Sequence, residues 1–283
     1  MHSTFELKKR VGGVVRKSPI LYRLLRRLIE PTYAVYVVSY PKTGRSWLRV
    51  MLGKAVCLGY GQPDALLLRT PRLTAAAGLR ATRFSHEDAI FDGRAWQDLD
   101  PDKRRYAHSR ILILTRDVKD TLVSNYFHAT KRARTFTGTL TEFIRHDCWG
   151  ARKIITYYDN WYRARSVPRE VRLLRYEDIH RSPRAALEAA LDIVGARGLA
   201  SSVLDEAVEF GSFDNMKKLE ASGYFAERQM KPGDPADPSS FKVRQGRVGM
   251  SAEVLTPADI DYIDRLVAES GCPYVTSIAT RGT

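Results

Sequence analysis

The chain contains four short apolar runs. The segments between them have helical periodicity or the composition of loops. Residues 34–40 (AVYVVSY) and 110–115 (RILILT) are typical of strands buried on both faces of a sheet, and residues 79–85 and 171–175 predict two further strands. Strands joined through helices imply right-handed crossovers and parallel pairing. The pattern therefore predicts an α/β fold with a parallel β-sheet flanked by helices.

Apolar residues at helical spacing, with start signals such as proline at the first position, predict the helices. They cover residues 48–58, 118–129, 139–165 with a break near residue 150, 183–194, 199–210 and 257–270. Residues 221–250 are rich in glycine and proline and predict a long mobile loop.

The chain turns tightly after its first predicted strand, through residues 41–46 (PKTGRS). A strand, a tight loop and a helix in this order leave backbone N–H groups at a helix N-terminus, where anions bind. Lys42 and Arg45 add positive charge there. The loop resembles a P-loop, but Lys42 precedes Gly44 and the GxxxxGK[ST] pattern is incomplete, which disfavours an ordinary nucleotide triphosphatase.

Four side chains that could bind a ligand or take part in a reaction come just after the four predicted strands: Lys42, His86, Arg116 and Tyr176. In a parallel sheet, ligands bind beyond the carboxyl ends of the strands. We therefore expect these residues to gather at one edge of the sheet.

The charge balance indicates an anionic partner. The 283 residues contain 46 Lys or Arg and 32 Asp or Glu, a formal net charge of +14, which suits a polyanion, an anionic membrane or an anionic small molecule. The basic residues do not alternate with aromatic residues as in RNA-binding motifs, and the sequence has no zinc-finger pattern. A nucleic-acid partner is therefore disfavoured. Three widely spaced cysteines suggest neither a disulfide framework nor a metal site and favour the cytoplasm.

The sequence predicts a single domain over residues 31–283, preceded by a basic amphipathic segment over residues 1–30. That segment contains eight Lys or Arg and two Glu, with leucines at helical spacing between residues 21 and 28. It either docks on the domain, which is favoured, or lies on the inner membrane surface as a peripheral contact. The oligomeric state stays open.

Residues 40–48 (YPKTGRSWL) resemble the phosphosulfate-binding loop YPKSGTTWL of sulfotransferases that use 3′-phosphoadenosine 5′-phosphosulfate (PAPS). The resemblance makes the loop a P-loop-like phosphosulfate-binding loop. It implies donor contacts from six residues: Lys42, Thr43, Gly44, Arg45, Ser46 and Trp47. Arg45 departs from the family pattern, because a cation replaces a threonine.

Four further segments resemble motifs of the same family, in the family's order. Residues 116–126 (RDVKDTLVSNY) resemble the 3′-phosphate motif RNPKDxxxSxY, and residues 176–178 match a YED that follows a strand. Residues 212–216 (SFDNM) resemble SFxxM, and residues 244–249 (RQGRVG) resemble RKGxxG. The resemblance implies further donor-binding roles for Arg116, Ser124, Tyr176, Ser212, Phe213, Met216, Arg244, Gln245 and Gly246. Core packing is a serious alternative for Phe213 and Met216.

The resemblance implies that the enzyme moves a sulfuryl group from PAPS to an acceptor hydroxyl by in-line displacement and releases 3′,5′-ADP. The catalytic residues would be His86 as base, Lys42 for charge on the leaving oxygen and Ser124 to hold Lys42. Glu87 or Asp88 could replace His86 as base. No metal is required, since the loop and the arginines supply the positive charge.

Two alternatives come from other classes: a P-loop-type nucleotide kinase, and a non-catalytic protein that binds anions or membranes. The acceptor expected for the sulfotransferase is a carbohydrate, a glycolipid or another small molecule, and the basic surface favours a carbohydrate or glycolipid over a small phenol.

Overall fold

Four parallel strands form one sheet in the computed structural model, which describes residues 31–89, 93–225, 227, 230, 241 and 247–275. In chain order the strands are β1 (Val35–Ser39), β2 (Thr82–Ser85), β3 (Arg110–Thr115) and β4 (Glu170–Arg175). Their order in the sheet is β2-β1-β3-β4, and each neighbouring pair is parallel. The predicted strands and the predicted sheet type are confirmed.

Alternate residues of the central strand β1 pack into two separate cores. Val35 and Val37 belong to one hydrophobic cluster, whereas Tyr36 and Val38 belong to the other. This is the period of two expected of a strand that is covered on both faces. The uncharged run of residues 34–40 is therefore explained by burial on both faces of the sheet.

Helices cover both faces of the sheet. The ten α helices of the described residues are α1 (Arg45–Gly59), α2 (Thr70–Ala76), α3 (Val118–Phe127), α4 (Leu140–Arg145), α5 (Ala151–Arg163), α6 (Tyr176–Arg181), α7 (Pro183–Val194), α8 (Ser201–Phe210), α9 (Phe213–Ala221) and α10 (Pro257–Ser270). Helices α1, α7, α8 and α9 supply residues to the first cluster, and α3, α4, α5 and α10 supply residues to the second. The predicted fold class is confirmed.

One predicted helix differs in its start from the structure. Helix α1 begins at Arg45, three residues before the predicted start, because Gly44 in a left-handed conformation (φ 86°) is its N-cap. The break predicted near residue 150 of the helical segment 139–165 is confirmed, because that segment forms α4 and α5 with Gly150 as the N-cap of α5. A Cβ at Gly150 would lie 2.2 Å from the carbonyl oxygen of Ile144, so the tight turn there requires glycine.

The order of the strands creates a topological switch point. From β1 the chain passes to β2 on one side, then crosses to β3 on the other side of β1. Connections that leave two adjacent strands in opposite directions open a crevice at their carboxyl ends, where ligands bind in open α/β sheets. In this protein the crevice lies between the loop that follows β1 and the turn that follows β3.

Several predictions concern residues outside the described part of the chain. These are the amphipathic segment over residues 1–30, most of the loop predicted to be mobile over residues 221–250, and the donor-binding residues Arg244, Gln245 and Gly246. A search of the described residues for a helix with the length and hydropathy of a membrane span found none.

Candidate active site

The loop after β1 curls through two left-handed residues, Lys42 (φ 72°) and Gly44 (φ 86°). A left-handed lysine costs about 1–2 kcal/mol relative to a right-handed one. Such turns direct successive backbone N–H groups towards a common point, where anions bind. No side chain caps α1, and no acidic residue stands in its first turn. The loop and the start of α1 therefore have the geometry of an anion site.

The carbonyl oxygens of this loop accept hydrogen bonds from the protein. Three consecutive carbonyls, those of residues 40–42, accept from Thr43 Oγ1 at 2.8 Å, Asn125 Nδ2 at 3.2 Å and Arg116 Nη1 at 3.3 Å. With their carbonyls held in this way, the loop presents N–H groups rather than oxygens to a ligand. The hydroxyl of Thr43, predicted to bind the donor, is buried and serves to close this turn.

Tyr158 joins the two strands that flank the crevice. Its buried hydroxyl donates to the carbonyl oxygen of Leu114 at 2.7 Å and accepts from the backbone N–H of Tyr40 at 3.2 Å. Burial raises the pKa of Tyr158, so the phenol stays protonated at physiological pH. One side chain from α5 thereby fixes the point at which the loop leaves β1.

Tyr176 brings three of the predicted motifs together. A Cβ at Gly44 would lie 2.7 Å from Cδ2 of Tyr176, so glycine is needed where the loop meets the ring. The guanidinium of Arg116 lies 4.2 Å from the centroid of the same ring. Trp47 packs edge-on against it, with 6.0 Å between centroids. Of the four residues predicted to meet at one edge of the sheet, Arg116 thus contacts both the ring of Tyr176 and the backbone of Lys42.

Arg116 is held by several partners. Its Nη2 donates to Asp120 at 3.3 Å and to the carbonyl oxygen of Arg247 at 3.1 Å, while its Nη1 binds the carbonyl of Lys42. Its buried Nε has no hydrogen-bond partner among the residues that the structure describes. A buried donor without an acceptor is costly, which is consistent with a ligand oxygen at this point.

Asp120, which the sequence did not single out, fixes the backbone at the end of the RKGxxG-like segment. Its two carboxylate oxygens accept from the N–H groups of Gly249 at 2.8 Å and Ser251 at 3.0 Å. Residues 247–251 are therefore attached next to Arg116. Arg244, Gln245 and Gly246 precede that attachment but lie outside the described residues.

The other predicted donor-binding residues occupy different positions. Ser124 is half-buried on α3, next to Asn125, whose amide reaches the loop. Ser212 is the N-cap of α9 and accepts from the N–H of Asn215 at 3.4 Å. Met216 is buried in the first hydrophobic cluster, as the core-packing alternative expects, whereas Phe213 is half-buried. The donor roles of these residues stay predictions.

His86 follows β2 and is fixed to the end of β1. Its Nδ1 lies 2.7 Å from the carbonyl oxygen of Ser39 and 3.3 Å from the hydroxyl of the same residue. A carbonyl can only accept, so Nδ1 carries the proton in the neutral imidazole and Nε2 carries the lone pair. This is the tautomer that a general base requires.

The carboxylate of Glu87 is used in a buried ion pair. Its Oε2 lies 3.0 Å from Nζ of Lys103, and both side chains are under 5% exposed. A carboxylate enclosed with its counter-ion is a poor proton acceptor, which disfavours Glu87 as the base. The side chain of Asp88 lies outside the described residues.

Two further cations stand at the start of α1. Burial and the neighbouring Arg49 lower the pKa of Arg45 to about 10, which leaves Arg45 protonated at neutral pH. Burial also lowers the pKa of Arg49. Among the described residues, His, Cys, Asp and Glu form no cluster that could hold a metal ion.

Residues 100–270 match the family model described as "Sulfotransferase domain". Similar proteins include cytosolic sulfotransferase 16 of Arabidopsis thaliana, 27% identical over 254 residues that cover 82% of this chain and 74% of the relative. The 3-alpha-hydroxysteroid sulfotransferase of Cavia porcellus is 23% identical and covers 91% of this chain and 90% of its own length.

Solved structures show the same fold. A mouse sulfotransferase complexed with PAP matches with a TM-score of 0.58 at 17% identity, over 86% of each chain. A retinol dehydratase in complex with retinol and PAP matches with a TM-score of 0.58 at 14% identity, over 89% of this chain and 86% of that one. Because the family model matches more than half of the chain, the enzyme class predicted from the motifs is confirmed: the protein belongs to the sulfotransferase family.

Proposed function

We propose that the protein transfers the sulfuryl group of PAPS to the hydroxyl of a small-molecule or carbohydrate acceptor and releases 3′,5′-ADP. The observation that carries the proposal is the position of His86. Its Nδ1 donates to the carbonyl of Ser39, two residues before the loop that presents N–H groups to an anion. The candidate base and the candidate anion site thus depend on the same strand end.

The described residues fit an anionic nucleotide donor. The loop has its carbonyls turned towards protein donors, and one buried N–H of Arg116 has no acceptor within the described part of the chain. Lys42, Arg45 and Ser46 would hold the 5′ side of the donor. Arg116, Ser124 and Arg244 would hold its 3′-phosphate. The aromatic rings of Trp47 and Tyr176 would lie against its adenine side, where Ser212 and its neighbours in the SFxxM-like segment would flank the nucleotide.

His86 would accept the proton of the acceptor hydroxyl on Nε2, because Nδ1 already donates to Ser39. The deprotonating oxygen forms the new bond to sulfur as the bond from sulfur to the phosphate oxygen breaks. Lys42 would stabilise the negative charge on that departing oxygen, with Ser124 orienting Lys42. The proton then resides on His86 until solvent removes it.

Four variants test the assignment of the base. His86→Ala should lose about 10²–10⁴-fold in turnover while its affinity for 3′,5′-ADP changes little, because the imidazole faces the acceptor. Lys42→Ala should lower both. Glu87→Gln and Asp88→Asn, assayed with radiolabelled PAPS in parallel, identify the base: an active His86→Ala beside an inactive Asp88→Asn would transfer the role to Asp88.

Donor binding is tested by calorimetry on the wild type and on Arg116→Ala. The wild type should bind 3′,5′-ADP in preference to ATP, and without Mg²⁺. Arg116→Ala should weaken that binding by about 1.5–3 kcal/mol, the usual size of a charge-assisted contact. Preference for ATP with Mg²⁺ would favour a kinase, and binding of neither nucleotide would favour a non-catalytic protein.

We further propose a cytoplasmic location for the enzyme, with a peripheral membrane contact through residues 1–30. The names of several relatives include "cytosolic", which supports a cytoplasmic enzyme. The basic amphipathic pattern of residues 1–30 supports a peripheral contact with an anionic membrane surface.

A further inference from the structure

The residue that follows the candidate base combines two unfavourable features. Glu87 has a left-handed backbone (φ 48°), which residues other than glycine seldom adopt. Its carboxylate is also buried in an ion pair with Lys103, and removing both charges from water is costly. In the described part of the chain only two other non-glycine residues have a positive φ, Lys42 and Arg134. Of these three, Lys42 belongs to the anion-binding loop and Glu87 follows the base, and strained residues cluster at functional sites.

The ion pair is enclosed on several sides. Nζ of Lys103 lies 3.0 Å from Oε2 of Glu87 and donates to the carbonyl of Asp100 at 2.7 Å. It also lies 5.0 Å from the centroid of the Trp161 ring, which is fully buried. Apolar residues of similar volume often stabilise a core as well as a buried ion pair does. Stability alone therefore does not explain the presence of this pair.

The backbone connects the ion pair to the candidate base. The N–H of Glu87 donates to Oγ of Ser85 at 2.9 Å, and the N–H of Ala89 donates to the carbonyl of His86 at 3.0 Å. His86 thus lies between the end of β2 and a short turn that Glu87 begins. Because the side chain of Glu87 is fixed, the backbone on both sides of His86 is restrained.

The ring of His86 depends on this restraint. Its Nδ1 lies 2.7 Å from the carbonyl of Ser39, and this hydrogen bond selects the tautomer with the lone pair on Nε2. If the backbone of His86 moved, the hydrogen bond would be lost and the other tautomer would become populated. A displacement of about 1 Å at a reacting group can cost about 10²-fold in rate.

We propose that Glu87 and Lys103 are positioning residues for the base. Their buried ion pair holds the left-handed turn after β2, and the turn keeps Nδ1 of His86 against the carbonyl of Ser39. The proposal rests on the function proposed above and names the residues that hold its base. Neither side chain touches a substrate, since both act through His86.

The test uses the double variant Glu87→Gln/Lys103→Met, which removes both charges at similar volume and leaves neither unpaired. Nitrogen NMR of the imidazole rings distinguishes the two tautomers, and the signals of His86 are those missing from His86→Gln. The wild type should show His86 with its proton on Nδ1, and the double variant should show a mixture of tautomers. Glu87→Gln alone still offers Lys103 an acceptor, so it is the milder variant and should give an intermediate mixture.

Turnover is measured with radiolabelled PAPS, and p-nitrophenol and N-acetylglucosamine serve as acceptor probes. In the double variant kcat should fall by about tenfold to 10²-fold, the size expected for a displaced base. Its affinity for 3′,5′-ADP, measured by calorimetry, should stay within about twofold of the wild type. Unchanged affinity also shows that the variant folds.

Arg110 and Glu170 provide the matched control. They form an ion pair of 3.0 Å at the amino ends of β3 and β4, whereas His86 follows the carboxyl end of β2. Arg110→Met/Glu170→Gln should keep the wild-type signals of His86 and the wild-type turnover.

Three results would overturn the proposal. The first is a double variant with wild-type turnover. The second is a loss of turnover with unchanged signals of His86, which would make Glu87 itself the base. The third is an equal loss of 3′,5′-ADP affinity, which would reflect a general loss of structure. The NMR measurement needs no turnover. A wild type without sulfotransferase activity would therefore overturn the proposed function, while the coupling of the ion pair to His86 is still measured.

Discussion

Asp120→Asn would remove the charge that attaches residues 247–251 to α3. The carboxylate is fully buried, and it accepts from Arg116 and from the N–H groups of Gly249 and Ser251. Oδ2 serves both Arg116 and Gly249, whereas Oδ1 serves Ser251 alone. An asparagine would therefore place its oxygen at the first position and turn its NH₂ group towards Ser251. Two donors would then face each other.

The size of the effect follows from this geometry. One buried backbone N–H loses its acceptor, which costs about 1–3 kcal/mol. Arg116 keeps an acceptor but loses its counter-charge, and removing one partner of a buried ion pair costs about 3–5 kcal/mol. Because the amide oxygen retains part of that interaction, we expect Asp120→Asn to lower the free energy of unfolding by about 3–5 kcal/mol in total.

Urea unfolding followed by tryptophan fluorescence measures the loss of stability, and hydrogen exchange locates it. The amide of Ser251 should lose more protection than that of Gly249, because the asparagine oxygen still serves Gly249. Asp261→Asn is the matched control, since Asp261 is exposed on α10, and it should stay within about 0.5 kcal/mol of the wild type. The reasoning is refuted if Asp120→Asn is as stable as this control and Ser251 keeps its protection.

Two other substitutions test the frame of the site, and a third tests the attachment of α10 to α4. Gly44→Ala should destabilise the protein by about 1–3 kcal/mol and weaken 3′,5′-ADP binding, because the left-handed residue would gain a Cβ 2.7 Å from Tyr176; chemical denaturation and calorimetry measure the two effects. Tyr158→Phe removes the hydroxyl that serves a carbonyl and an N–H at the ends of β3 and β1, and urea unfolding should show a loss of about 2–4 kcal/mol. Burial raises the pKa of Asp259, but hydrogen bonds from Arg145 and two threonines outweigh it and leave that pKa below its usual value. The contribution of the Asp259 carboxylate to the free energy of unfolding is therefore fully present above the ordinary carboxyl pKa. It is lost as the pH falls through the lowered pKa of Asp259. Asp259→Asn should cost about 1–2 kcal/mol at neutral pH, and unfolding curves should show that difference shrinking below about pH 4.

The sheet could be predicted from the sequence because its signal is local. Val35 to Val38 alternate between two hydrophobic cores, and only an uninterrupted apolar run satisfies both. The crossovers follow from chain direction and helical connections. The order of the strands, with β1 between β2 and β3, is not encoded in such a pattern. It depends on which helix packs on which face.

The contacts that complete the site could not be predicted because their partners are remote and lack a sequence signature. Asp120 sits in a helical segment, where an aspartate is normally expected to be solvated. Its partners are backbone N–H groups about 130 residues later, and every residue but proline has such a group. Gly44 as the N-cap of α1 was missed for a related reason, since Arg45 at the first helical position interrupts the apolar periodicity.

Lys103 provides the last constraint on the chemistry near His86. Lys103 brings an ammonium group to Glu87, the residue that follows His86. However, its Nζ donates to Glu87 at 3.0 Å and to the carbonyl of Asp100 at 2.7 Å, and it lies 5.0 Å from the ring of Trp161. An ammonium enclosed in this way has no access to a substrate oxygen. The ion pair fixes the side chain of Glu87, a residue whose backbone is left-handed (φ 48°). The proposed stabilisation of charge on the departing oxygen therefore stays assigned to Lys42 of the loop.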